Sequence, residues 1–276
     1  MKYLTEEKNH QQNLVKVTVA TSKMNRYENK IPYEYNAVST VKDKDNNPNH
    51  YINASFITGA QNTKFICAQN PMENTLTSFW LMIINHKVCL DILLSYTFGE
   101  GMDKFISYWP NDNEEALIIN DTEHKIKYEV KQSQESTCVI DKFFVFRYFT
   151  VYKEGEEVLT LTQLHFNGWD DHSIPISKMR KGMIEVVISK ILENKNNGTI
   201  LVHCSDGVGR TGTMVALYNV ISSIIAQKEA KVDAPVYNIF NIVRKLREER
   251  FGMVGDASQY QFIYDGVKSW VSDSYR

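Results

Sequence analysis

Residues 198–213 read Gly-Thr-Ile-Leu-Val-His-Cys-Ser-Asp-Gly-Val-Gly-Arg-Thr-Gly-Thr. A short apolar strand runs into a glycine-rich turn holding one cysteine and one arginine. The apolar stretch Met214–Ile225 that follows has the character of a buried helix. In such a turn successive backbone N–H groups point inward, and the helix N-terminus adds positive partial charge, so the segment is suited to hold a dianion such as phosphate.

Cys204 sits inside that field. A free thiol has a pKa of about 8.5 and only its thiolate attacks. The loop N–H groups, the helix end and Arg210 are expected to lower that value. Arg210 offers a planar fork of donors that fits two phosphate oxygens. Thr211 can donate its hydroxyl to the sulfur, and His203 is expected to order the loop. A lone cysteine is usually a small buried hydrophobe. His-Cys, three glycines, Arg and Thr-Gly in one order make a nucleophile the better reading.

The run His203-Cys204-Ser205-Asp206-Gly207-Val208-Gly209-Arg210-Thr211-Gly212 resembles the signature of the tyrosine-specific protein phosphatases of the cysteine-dependent superfamily. The resemblance extends over nearly the whole chain. Asn25-Arg26-Tyr27 is similar to the family's phosphotyrosine-recognition loop, and Tyr51-Ile52-Asn53-Ala54-Ser55 to its following strand. Gln69-Asn70-Pro71, Thr75, Phe79-Trp80, Tyr108-Trp109-Pro110, Trp169-Asp170-Asp171-His172, Arg247, Arg250, Gly252 and Gln259-Tyr260 fall in the family's order. The resemblance implies one α/β domain over residues 1–276, with a highly twisted mixed sheet flanked by helices and an N-terminal helical extension at 1–20. It also implies hydrolysis of phosphotyrosine in partner proteins through a phosphocysteine, with no metal and no cofactor.

The same resemblance assigns roles. Cys204 would be the nucleophile, with Arg210 and Thr211 beside it. Ser205, Asp206, Gly207, Val208 and Gly209 would cradle the phosphate. Cleaving an aryl phosphate leaves a phenolate, which needs an acid to protonate it. Asp171 aligns with the family's acid, between a Trp and a Pro that suit a closing loop. Tyr27 would line a pocket too deep for phosphoserine, and Asn29 stands where an aspartate usually pairs with the peptide backbone. Lys104 resembles a lysine that contacts the acid-bearing loop, Glu100 is a candidate partner for Arg210, and Gln259 matches a family glutamine.

Besides Asn29, three residues depart from the pattern. Asp170 replaces the proline before the acid, so Asp170 and Asp171 both stand as candidates for that role. Asp206 replaces an alanine and sets a negative charge at the anion site, which should weaken phosphate binding and oppose the thiolate. Gly255 stands where a water-positioning glutamine is usual, leaving Gln259 as a substitute. Two further readings therefore stand beside hydrolysis of phosphotyrosine. One is a module that binds and traps phosphotyrosine proteins, and the other a phosphatase of dual or lipid specificity, which Tyr27 disfavours. A chain starting at Met1 with altered loop residues also resembles the divergent phosphatases of bracoviruses, which implies action on host signalling in the host cytoplasm.

Composition narrows the remaining classes. With 276 residues, 43% apolar and 23% charged, the chain suffices for one sizeable core. A net charge of −2 gives no reason to expect nucleic acid or an acidic membrane as partner. Cys67, Cys89, Cys138 and Cys204 show no paired spacing, and the seven histidines form no ligand cluster. Met1–Leu14 lacks a signal peptide's apolar stretch, and the apolar windows Phe79–Leu94 and Met214–Ala226 are too polar or too short to span a bilayer. Neither end carries a lipidation pattern. A soluble, cytoplasmic protein is expected.

Strand patterns occur around Ile126, Tyr128 and Val130, over Lys142–Val151, and in the strong alternation of Val158–Phe166. Helical spacing marks Met179–Leu192, Met214–Ala226, Val236–Leu246 and Gln259–Trp270. Asp43–Asn49 reads as a polar loop. The basic residues Arg244, Lys245, Arg247 and Arg250 read as a helix face plus internal pairs near the phosphate loop.

Overall fold

The computed structural model describes residues 19–40, 51–95, 105–111, 114–137 and 143–274. Most of the proposed N-terminal extension, the loop Asp43–Asn49, and Glu100, Lys104, Cys138 and Lys142 lie outside the described residues. The short helix α1 (Val19–Ser22) is followed by strands β1 (Ala37–Ser39), β2 (Tyr51–Thr58) and β3 (Lys64–Gln69), then helix α2 (Leu76–Asn85) and β4 (Val88–Leu93). Next come β5 (Leu117–Asp121), β6 (Ile126–Thr137), β7 (Phe144–Lys153) and β8 (Glu156–Phe166). The C-terminal third carries α3 (Arg180–Asn194), β9 (Thr199–Cys204), α4 (Gly209–Glu229), α5 (Ile239–Glu249) and α6 (Ala257–Ser274).

The described strands form one mixed sheet of nine in the order β1-β2-β3-β9-β4-β8-β7-β6-β5. Its centre is parallel, with β9 between β3 and β4 and β8 beyond β4. Both flanks are antiparallel. Alternation in the sequence identifies the flanking strands β6 to β8, whose side chains divide between two environments. The central strands β4 and β9 are buried on both faces and read as continuous apolar runs, which parallel strands typically do.

Two apolar layers follow from that burial. On one face α3, α4, α5 and α6 pack over Leu90, Ile92, Leu164, Ile200 and Val202. On the other α2 buries Phe79, Trp80, Met82 and Ile83 against Ile66, Leu93, Tyr108, Val130 and Leu201. Helix α4 is buried nearly all round, from Arg210 to Ile224, as expected of an apolar helix without a polar face.

The start of α5 differs from the sequence expectation. Its periodic positions Ile239, Val243 and Leu246 are buried, but Phe240 is 52% and Val236 78% exposed. The Asn238 side chain accepts from Asn241 N–H at 2.9 Å and caps the helix, so the helix begins at Ile239 and Val236 lies before it. Among the described residues no helix is long and apolar enough to cross a membrane.

Candidate active site

Strand β9 delivers the cysteine. Because side chains alternate along a strand, Ile200, Val202 and Cys204 face the α4 side while Leu201 packs on the α2 side. His203 takes the α2 side too. Its Nε2 lies 2.9 Å from Tyr108 Oη and 3.0 Å from Asp91 Oδ1, all three residues being fully buried. The neighbours in sequence thus serve different layers, and His203 anchors the strand under α2.

The turn from 205 to 208 is held from three sides. Asn70 N–H, at the end of β3, donates to Cys204 O at 2.8 Å and to Ser205 O at 3.2 Å. Gly207 has φ +69, and a Cβ there would lie 2.2 Å from Ala68 O, so only glycine can make the bend. Arg250, 1% exposed, reaches across from the end of α5. It donates to Gly207 O at 2.9 Å, Asp206 O at 3.1 Å, Asn53 Oδ1 at 2.7 Å and Ser55 Oγ at 3.1 Å. Arg247 donates to Met253 O and Val254 O, and Arg244 pairs with Glu248 at 2.6 Å, so these basic side chains are a helix face with internal partners.

Several of the proposed site residues converge on Cys204. Thr211 donates its hydroxyl to the sulfur at 3.2 Å. Arg210 is 1% exposed, donates to Trp169 O at 2.9 Å and pairs with Asp171 Oδ1 at 3.0 Å. Its Nε–H is buried without a hydrogen-bond partner among the described residues. Of the two adjacent carboxylates, Asp171 is the one turned to the arginine. Asp170 is exposed, and its carbonyl accepts from Ser173 Oγ at 2.8 Å. The chain turns sharply after them, His172 having φ +51. Tyr27 reaches the same loop, its hydroxyl 3.1 Å from Ser205 Oγ. Gln69 holds the segment before it, accepting from Arg26 N–H at 2.9 Å and donating to Met24 O at 2.8 Å. Asn29 is exposed beside it.

Gln259 is 1% exposed and fills the space next to Gly255. Its Oε1 accepts from Gly255 N–H at 2.9 Å, and its Nε2 donates to Ser173 O at 3.3 Å. A Cβ on Gly209 would meet its Oε1 at 3.1 Å. The amide therefore ties the turn before α6 to the loop carrying Asp171, whose Ser173 O also accepts from Trp169 Nε1 at 2.8 Å.

The thiol differs from the sequence expectation. Burial pushes Cys204 up and Asp206 pushes in the same direction, and together they outweigh Arg210 and the hydrogen bonds of Thr211. The Asp206 carboxylate lies inside the loop, where the thiol donates to its Oδ1 at 3.4 Å.

Sequence reasoning passed over the polar cluster behind the site. Tyr108 Oη donates to Asp91 Oδ2 at 2.6 Å and accepts from Gln163 Nε2 at 2.6 Å. Arg147 donates to Gln163 Oε1 at 2.7 Å and lies 4.1 Å from the Trp109 ring centre. His165 is held between Arg147 and Ser95 O, and burial drives its pKa to about 3. One signal was legible. Asp91 is an aspartate inside the apolar strand Val88–Leu93, and a carboxylate so placed needs buried partners.

The family model for protein-tyrosine phosphatase matches residues 21–269. The chain belongs to the protein-tyrosine phosphatase family. Human receptor-type tyrosine-protein phosphatase epsilon is 33% identical over 245 residues, covering 87% of this chain and 33% of its own length. Rat tyrosine-protein phosphatase non-receptor type 20 is 31% identical, covering 88% of this chain and 53% of its own. Tyrosine-protein phosphatase 2 of Dictyostelium discoideum is 31% identical, covering 78% and 53%. The chain thus spans about a third of the receptor-type relative and about half of the other two.

Proposed function

We propose that this chain hydrolyses phosphotyrosine in proteins by way of a phosphocysteine. The observation that carries the reading is a pair of contacts made by adjacent residues at the start of α4, Thr211 to the Cys204 sulfur and Arg210 to Asp171. A phosphate entering the loop would meet the backbone N–H groups, the unpaired Nε–H of Arg210 and the fork now shared with Asp171. The Cys204 thiolate attacks phosphorus, the bond to the aryl oxygen breaks, and Asp171 gives that oxygen its proton. Water then attacks the phosphocysteine, the S–P bond breaks, and the Asp171 carboxylate takes the proton from water. Tyr27 at the mouth suits an aromatic ring, which supports phosphotyrosine over shorter esters. Thiolate, guanidinium and carboxyl supply nucleophile, charge stabilisation and proton, so the scheme asks for no metal or cofactor.

The test is phosphate release from a phosphotyrosine peptide. Cys204→Ser should release none, and Asp171→Asn should lower kcat by about 10²–10⁴ while Asp170→Asn changes it less than about tenfold. Release by the native chain no greater than by Cys204→Ser would overturn hydrolysis. A second reading, a phosphotyrosine trap, is favoured by Gly255 in place of a water-positioning glutamine, and it requires the native chain to bind the peptide without turnover. A cytoplasmic location is proposed because a working thiolate needs a reducing compartment. A viral effector role in host signalling rests on the altered loop residues alone. It requires that expression in host cells lower the phosphotyrosine content of their signalling proteins.

A further inference from the structure

The Asp206 carboxylate points into the loop. Asp206 Oδ1 accepts from Val208 N–H at 2.8 Å and from Gly209 N–H at 3.3 Å. The Cys204 thiol donates to the same oxygen at 3.4 Å. One anionic oxygen therefore gathers two loop N–H groups and the nucleophile itself. A phosphoryl group poised for attack must bring its phosphorus within about 3–3.5 Å of the sulfur and its oxygens onto the loop N–H groups. The carboxylate already occupies that space. Its tether is short and stiff, because Asp206 O is held by Arg250 at 3.1 Å and the next residue is the φ +69 glycine.

We propose that Asp206 is a tethered anion seated in the phosphate cradle, a built-in competitor that must swing out before a phosphate ester can bind. The proposal rests on reading the loop as a phosphate seat, and it goes further than a repelling charge. The seated state pairs the carboxylate with a protonated thiol, which donates to it. A thiolate would repel the same oxygen, so seating the carboxylate disarms the nucleophile and expelling it arms the nucleophile. Free phosphate, tungstate and the phosphoryl group of a substrate all compete for the same two N–H groups.

Replacement by alanine and by asparagine separates a seated group from a charge nearby. Asp206→Ala empties the seat. Asp206→Asn removes the charge but keeps an oxygen able to accept from Val208 and Gly209, through bonds about half as strong. Inorganic tungstate binding, followed by calorimetry on the full chain, should tighten about tenfold or more in Asp206→Ala, with Asp206→Asn between it and the native protein. The pH midpoint of Cys204 alkylation by iodoacetamide should fall by about one unit in Asp206→Ala. Equal tungstate affinity in the alanine and asparagine variants would overturn seating in favour of charge alone, and equal affinity in all three proteins would overturn any competition. Tungstate binding by none of them would instead overturn the phosphate reading of the loop. The alkylation midpoint separates the two cases, because it reports the Asp206–Cys204 contact whether or not an oxyanion binds.

Discussion

Arg250→Met tests how the loop is held. The arginine enters from the end of α5, and its guanidinium satisfies two loop carbonyls, Gly207 O and Asp206 O, as well as Asn53 Oδ1 and Ser55 Oγ on β2. Methionine fills much of the same volume but donates nothing. Three buried acceptors, the two carbonyls and the Asn53 oxygen, then lose their donor at about 1–3 kcal/mol each, or roughly 3–9 kcal/mol together. Part is offset, because burial of the guanidinium is itself unfavourable and lowers the arginine's pKa. With that offset a net loss of about 3–5 kcal/mol is expected, within the span set by the three stranded acceptors. Urea unfolding followed by fluorescence measures it, provided the transition stays two-state. Ser55→Ala removes only one of the four bonds and should cost about 1 kcal/mol. Arg250→Lys should fall between, since an ammonium cannot span the four acceptors. A loss under about 1 kcal/mol in Arg250→Met would refute the reasoning, because the loop carbonyls would then have found other donors.

Two further outcomes follow from the geometry. Gly207→Ala should abolish phosphate release and destabilise the fold by more than about 2 kcal/mol, since the added Cβ meets Ala68 O at 2.2 Å on a backbone at φ +69; near-native urea stability and turnover would show that the turn can rebuild. His165 is held neutral with a pKa of about 3, so its contribution is fully present above about pH 6.5, its unfolded value, and is lost as pH falls toward 3. Stability should decline by up to about 1.4 kcal/mol per unit below pH 6.5 on this account, and urea midpoints in His165→Gln that decline just as steeply would assign the loss to other groups.

The parts of the site that were legible in the sequence are contiguous. Strand, turn and helix start from Thr199 to Thr213 declare themselves because local propensity, glycine and the Cys-Arg spacing lie within one stretch of chain. Helices α3 and α6 were legible through their apolar periodicity, and α4 through its long apolar run. Helix α5 was legible except at its start, where one asparagine cap overrides the periodic position of Val236.

Contacts between distant segments were not legible. Nothing in the local pattern of β3, β4 and β9 orders them as parallel neighbours, because buried central strands show no alternation to orient them. The Asp91, Tyr108, Gln163 and His203 cluster joins four separate stretches, and of these only Asp91, a carboxylate in an apolar strand, signals buried partners but not which ones. Asp206 marks the boundary most sharply. Its identity and negative charge follow from the one-dimensional string, and so does the expectation that the charge opposes phosphate. Whether the carboxylate faces solvent or the loop depends on which donors lie within reach once the backbone bends. Gly207, Arg250 and the end of β3 impose that bend together, leaving Val208 and Gly209 N–H groups and the Cys204 thiol facing one point that the nearest anion fills.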